Sequence, residues 1–252
     1  MDHTTRLLAQ LVIGGIILLV IYLLRRSLFR KAALAILDKT QKTYVEKHAW
    51  REVNASDFPD LDQEFYTGMT GWLESLGYRH MGDAENVTLR QINPTMKHCL
   101  RYMVSPDGTI NAAVYHMVAP GHSYKIFDIM SEFSNGDFVE TSNATQAAKI
   151  DSPPQLHHSY FPQETPYDQI LDAHAKAIAD YQAQHPGATA VVIGSKEDIR
   201  ASGDRMQKIK SAFRKGHGAV TRDEIKRIAK PGQQYLADGV ADEIEKLKRG
   251  KG

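Results

Sequence analysis

"CLRYMVSPDGTINAAVYHMV", Cys99–Val118, alternates apolar and polar residues on both sides of Pro106-Asp107-Gly108. That alternation is the signature of two half-buried strands, and Asp-Gly supplies the positive φ angle that a tight hairpin turn needs. "YKIFDIMSEFSNGDFVETSN", Tyr124–Asn143, repeats the pattern around Asn135-Gly136. Ile110, Ala112 and Val114 fall on one face, as do Phe127, Ile129 and Phe133. With "NVTLRQI", Asn86–Ile92, as a first strand, the expected fold class is α+β: a meander of about four or five antiparallel strands packed with helices.

Working outward, the helical period replaces the strand period. "LDQEFYTGMTGWLESLG" places Leu61, Phe65, Met69, Trp72 and Leu76 on one helical face, with Asp60 as N-cap and Gly77 at the C-terminal end. After the proline-punctuated connection "DSPPQLHHSYFPQETP", Pro166 opens a helix with Ile170, Leu171, His174, Ala177, Ile178 and Tyr181 on one side. "ATAVVIGS" reads as a short buried strand. Three more helices follow: one basic and amphipathic, with Ile199, Met206, Ile209 and Phe213 on one face; one opened by a Thr221/Glu224 capping box; and a last one carrying Val240, Ile244 and Leu247.

At the other end, Leu7–Leu24 contains no charged residue. As a helix it would run about 27 Å, close to the roughly 30 Å hydrocarbon core of a bilayer. The expectation is an uncleaved single-pass transmembrane helix, since no small-x-small cleavage site follows it. Arg25, Arg26, Arg30 and Lys31 flank it on the C-terminal side, against Arg6 alone before it, so the N-terminus is expected outside and the main domain in the cytoplasm. A lone cysteine, Cys99, agrees with a reducing compartment. Three glycosylation triplets, at Asn54, Asn86 and Asn143, would matter only for the opposite topology.

The 252 residues divide by charge. Residues 1–31 carry five basic and one acidic residue, residues 32–197 carry 12 and 21, and residues 198–252 carry 14 and 8. The expected organisation is a membrane anchor with a basic flank at 1–31, a juxtamembrane helical stalk at 32–60, an α+β globular domain at 61–197 and a basic helical extension at 198–252.

No motif names a reaction. Eleven histidines invite a metal, but none has ligand spacing, and adjacent His157 and His158 point apart in extended backbone. No metal or cofactor is expected. Cys99 lies in a strand, where it reads as a small buried hydrophobe. Ser195 with Asp198 reads as a helix cap rather than a nucleophile. "FRKGHGAVTRDEI" has the cadence of a calcium loop but puts Phe213, Lys215 and His217 where oxygen ligands are required.

The sequence thus points to a binding or interaction domain on a membrane anchor, held to the bilayer through Leu7–Leu24, rather than to an enzyme. Its partner would be a protein or an anionic lipid. One alternative is an enzyme or small-ligand binder with its site where sheet meets helix, lined by His174, His116 and Tyr115. The other is binding of nucleic acid or anionic lipid by the basic C-terminal helices; nucleic acid is not favoured, because a solvated basic face needs no such partner.

Overall fold

The computed structural model describes the backbone of residues 3–250 and the side chains of residues 16–250 except 146 and 148. In chain order it contains α1 (His3–Thr43), β1 (Trp50–Val53), α2 (Gln63–Ser75), β2 (Arg79–Asn86), α3 (Val87–Ile92), β3 (Lys97–Val104), β4 (Asn111–Ala119), β5 (His122–Glu132), β6 (Phe138–Ser142), β7 (Leu156–Tyr160), α4 (Tyr167–Gln184), α5 (Lys196–Gly216), α6 (Arg222–Ile228) and α7 (Gln234–Arg249). The described residues fall into two compact units. One is residues 42–216; the other joins the N-terminal helix up to Gln41 with the segment from His217 onward.

In the first unit seven strands form one sheet in the order β1-β2-β3-β4-β5-β6-β7. All neighbours are antiparallel except β6 and β7, which run parallel. The two expected hairpins are present. Gly108 and Gly136 take φ of 77° and 88°, conformations open to glycine at little cost. Both Ser105 and Thr109 donate hydroxyl hydrogen bonds to Asp107 across the first turn.

Alternation gives the sheet two different faces. One carries Cys99, Met103, Ala112, Val114, Phe127 and Ile129, covered by Tyr66, Met69 and Leu73 of α2 and Ile170 of α4. Each large apolar side chain fully buried in this layer, Phe127 among them, contributes about 2–3 kcal/mol. The other face meets α5, where Val104, Ile193 and Ile199 form a smaller apolar cluster with Met81 and Tyr102 packed against it.

Several expectations are corrected. Asn86–Ile92 is not a first strand. Asn86 ends β2, and its side-chain oxygen accepts from the Leu89 amide at 3.0 Å, capping the short helix α3. The residue capping α2 is Asp62, not Asp60. Ala188–Ser195 is not a strand: Ala190 makes one isolated bridge to Phe133. The proline-rich connection holds the parallel strand β7. The stalk ends at Thr43, and Trp50–Val53 joins the sheet instead.

The membrane reading is also corrected. Among the described residues, no helix is long and apolar enough to cross a membrane. The earlier part of the run, Leu7–Gly15, lies outside the described side chains. The anchor, the single-pass topology and the cytoplasmic placement that depended on it are withdrawn together. Arg25, one of the four flanking cations, stands over the ring of Tyr235, 4.1 Å from its centroid, within its own unit. That unit is a three-helix arrangement whose core is Ala33 of α1, Val220, Ile225 of α6, and Ala237, Ala241 and Ile244 of α7. The basic extension is divided as well, because α5 belongs with the sheet.

Candidate functional site

The three residues expected to line a site are not brought together. His174 is fully buried on α4, between Ser131 and Thr141. Ser131 Oγ already donates to the Thr109 carbonyl at 2.9 Å, so it accepts from His174 Nε2–H at 3.2 Å, and Thr141 Oγ1–H donates to Nδ1 at 3.0 Å. Both ring nitrogens are satisfied in the neutral form. Burial pushes the imidazole pKa down to about 4. His116 sits elsewhere on the same sheet face, with Nδ1 accepting from the Asp62 amide at 2.9 Å and Nε2 bonded to Ser123 Oγ at 2.8 Å. Tyr115, its neighbour in β4, points to the opposite face.

That opposite face, turned toward α5, holds the chemistry that lacks partners. Among the described residues, six buried side-chain polar atoms make no hydrogen bond: His98 Nδ1, Asn111 Oδ1, Asp128 Oδ1, His158 Nδ1, Ser202 Oγ and Ser211 Oγ. The first four lie on this face of the sheet, and the two serines lie on α5. Buried polar atoms are ordinarily paired, so an accumulation in one layer calls for an explanation. His158 Nδ1 stands 3.5 Å from Glu140 Oε2, within ion-pair reach but outside hydrogen-bond geometry.

Between the sheet and α5 is a cavity of about 200 Å³. Trp50, Leu100, Tyr102, Met130, Ile199 and Met206 give it apolar walls, while Asn111 and Asp128 form a polar floor. The other polar side chains at its edge have partners. His48 bonds through both ring nitrogens, Gln207 donates to the carbonyls of Thr43 and Val45, Asp204 pairs with Lys47 at 2.7 Å, and Arg200 pairs with Glu52 at 2.5 Å. Gly203 of α5 also lines the space, and a Cβ added there would meet nothing within 4 Å. A helix-interior glycine costs about 1 kcal/mol relative to alanine, and here no close packing requires it. What the glycine provides is room.

The electrostatics of this layer are uneven. Burial holds the Asp128 carboxyl well above the usual carboxylate range, and the nearby charge of Glu140 pushes it the same way. Burial also disfavours ionised Glu140, but Lys210 and His158 beside it outweigh that and bring its pKa down. Tyr115 is raised by burial and by both carboxyls. The two neighbouring carboxyls are thus shifted in opposite directions. Asp128 was visible in the sequence as the one charged residue inside "IFDIM"; Gly203 was visible as a glycine inside a helical pattern.

Two other depressions are more nearly self-satisfied. The groove of about 540 Å³ at the β1 edge is lined by Arg51, Glu85 and Arg90, which pair with one another, and by Asp60 and Lys97, which do the same. An open groove between α2 and α4 shows Phe65, Trp72 and Tyr167.

Comparison with known protein families, curated proteins and solved structures finds no match to this chain. Function is therefore read from geometry. Cys99 is fully buried and its thiol is pushed up to about 12, chiefly by burial, so it is not a nucleophile. Ser195 and Asp198 form the reciprocal cap of α5: Asp198 Oδ2 accepts from the Gly194 and Ser195 amides, and the Asp198 amide donates to Ser195 Oγ. Of the glycosylation triplets, Asn86 and Asn143 are buried and bonded through their side-chain amides, to His48 and to the Lys125 and Gln163 carbonyls.

Proposed function

We propose that residues 42–216 form a binding domain for a small organic molecule, held between the sheet and α5. The observation that carries this reading is the cavity floor, where Asn111 is 6 % exposed and its Oδ1 and that of Asp128 have no partner among the described residues. Leaving a buried acceptor unpaired costs about 1–3 kcal/mol, which a bound donor would recover. Apolar walls with a few convergent polar groups are the usual composition of ligand sites. The site lies at a junction of sheet and helix, and Tyr115 of the expected trio shares its face of the sheet.

A thermal-unfolding screen of a diverse fragment set tests it, with Gly203→Leu as the cavity-filled control. Fragments that bind the cleft raise the unfolding temperature of the natural protein and lose that effect in the variant. Equal effects on both proteins would place binding elsewhere and remove the reading.

A further inference from the structure

Resting on that reading of the cleft, we infer that its ligand is an organic cation, a primary or secondary amine on an apolar body. The ammonium N–H groups are donated to the Asp128 carboxylate, and the body lies against Trp50, Tyr102 and Met130.

The polar floor is acidic, and the protein supplies it with little countercharge. Asp128 and Glu140 lie on the same face of β5 and β6, and Lys210, the one lysine of α5 close to them, stands 3.9 Å from Glu140 Oε2. Arg200, the cation at the cavity edge, is held by Glu52 on β1. Asp128 itself has no ion pair with any described Lys, Arg or His. A carboxyl in this setting is costly to ionise alone and gains most from a ligand that brings positive charge. A neutral amine entering the cleft takes the Asp128 proton onto its nitrogen, giving an ammonium–carboxylate pair with no other change in atoms. An ammonium ion entering instead displaces that proton to solvent.

The walls suit the same ligand. Trp50 and Tyr102 meet edge to face with centroids 6.4 Å apart, so aromatic rings border the acidic floor. Aromatic faces attract cations by about 0.5–2 kcal/mol, and methionine side chains adapt to irregular apolar shapes. An anionic ligand would leave the Asp128 acceptor unpaired and would add to the negative charge of Glu140 on the same face of the sheet.

The test is calorimetric titration of the full chain with 2-phenylethylamine and with 2-phenylethanol, which differ only in the group that would meet Asp128. The expected result is at least tenfold tighter binding of the amine, with the preference lost in Asp128→Asn. Retained folding of Asp128→Asn is checked by its unfolding temperature. Equal affinity for amine and alcohol, or an amine preference that survives in Asp128→Asn, would overturn the cation assignment. If amine and alcohol bind equally and Gly203→Leu abolishes both, the cleft remains a ligand site while the cation assignment fails. If neither compound binds and no other fragment binds the cleft, both fail.

Discussion

Arg101 grips both carboxylate oxygens of Asp83 across the β2–β3 pair, Nε to Oδ1 and Nη2 to Oδ2, each at 2.8 Å. The Ala55 amide donates to Oδ2 as well, and His80 reaches Oδ1 at 3.0 Å. Asp83 is 8 % exposed, so the pair is committed to the fold, and it fixes the edge of the sheet from which β1 continues. Burial disfavours its ionised form, but these partners outweigh burial and hold its carboxyl well below the ordinary range.

Removing one partner of this pair leaves a buried uncompensated charge. Arg101→Ala is expected to cost about 3 kcal/mol in urea unfolding at pH 7. Because the folded pKa of Asp83 is depressed, the stability it contributes is present above the unfolded value of about 3.9 and is lost as pH falls below it. Asp83→Asn removes that acid limb; an unchanged limb would assign it to other carboxyls.

His174 predicts a second pH effect. Its folded pKa of about 4 lies below the unfolded value of about 6.5, so the unfolded chain binds a proton first. Stability contributed by the neutral ring is full above pH 6.5 and falls away toward pH 4, by about 3 kcal/mol in all. In His174→Gln this dependence is absent, and unfolding measured at pH 7 and pH 4.5 shows the smaller difference.

Asp128 behaves in the opposite sense. Its folded pKa is raised, so the cost of ionising it in place is absent below pH 4 and grows as pH rises. Asp128→Asn is expected to stabilise the protein at pH 7 by about 1 kcal/mol, the usual size of such gains at sites kept for function, and to have no stabilising effect at pH 3.5. A destabilising effect at pH 7 would show that the carboxyl belongs to the packing.

In the helical unit, Gly239 of α7 faces the ring of Phe29 of α1, and an added Cβ would overlap it. Gly239→Val is expected to destabilise that unit by about 1–3 kcal/mol through overpacking. Circular dichroism during thermal unfolding reads the loss.

The hairpins were legible because Asp107-Gly108 and Asn135-Gly136 carry turn chemistry that few other structures use. The sheet was wider than expected for identifiable reasons. β1 is four residues long and follows a long helix without a glycine or proline break. β7 pairs in parallel across a long connection, which no local pattern announces. Val87 and Thr88 gave α3 the look of a strand, while the deciding feature was the Asn86 cap. His174 was correctly placed on an inward stripe, but whether a buried histidine meets a cavity or two hydroxyls is a tertiary fact. The cavity between sheet and α5 was overlooked for the same reason: Asn111, Asp128 and Gly203 come from three elements that only folding brings together.

The claim that the space between sheet and α5 is a ligand site is tested most directly by methyl NMR, titrating 2-phenylethylamine into the full chain and following Met130 and Met206. Saturable shifts of both methyls in the natural protein, absent in a folded Gly203→Leu variant, are the predicted result. Shifts that persist in that variant, or that map instead to Met69 in the groove between α2 and α4, would contradict the account.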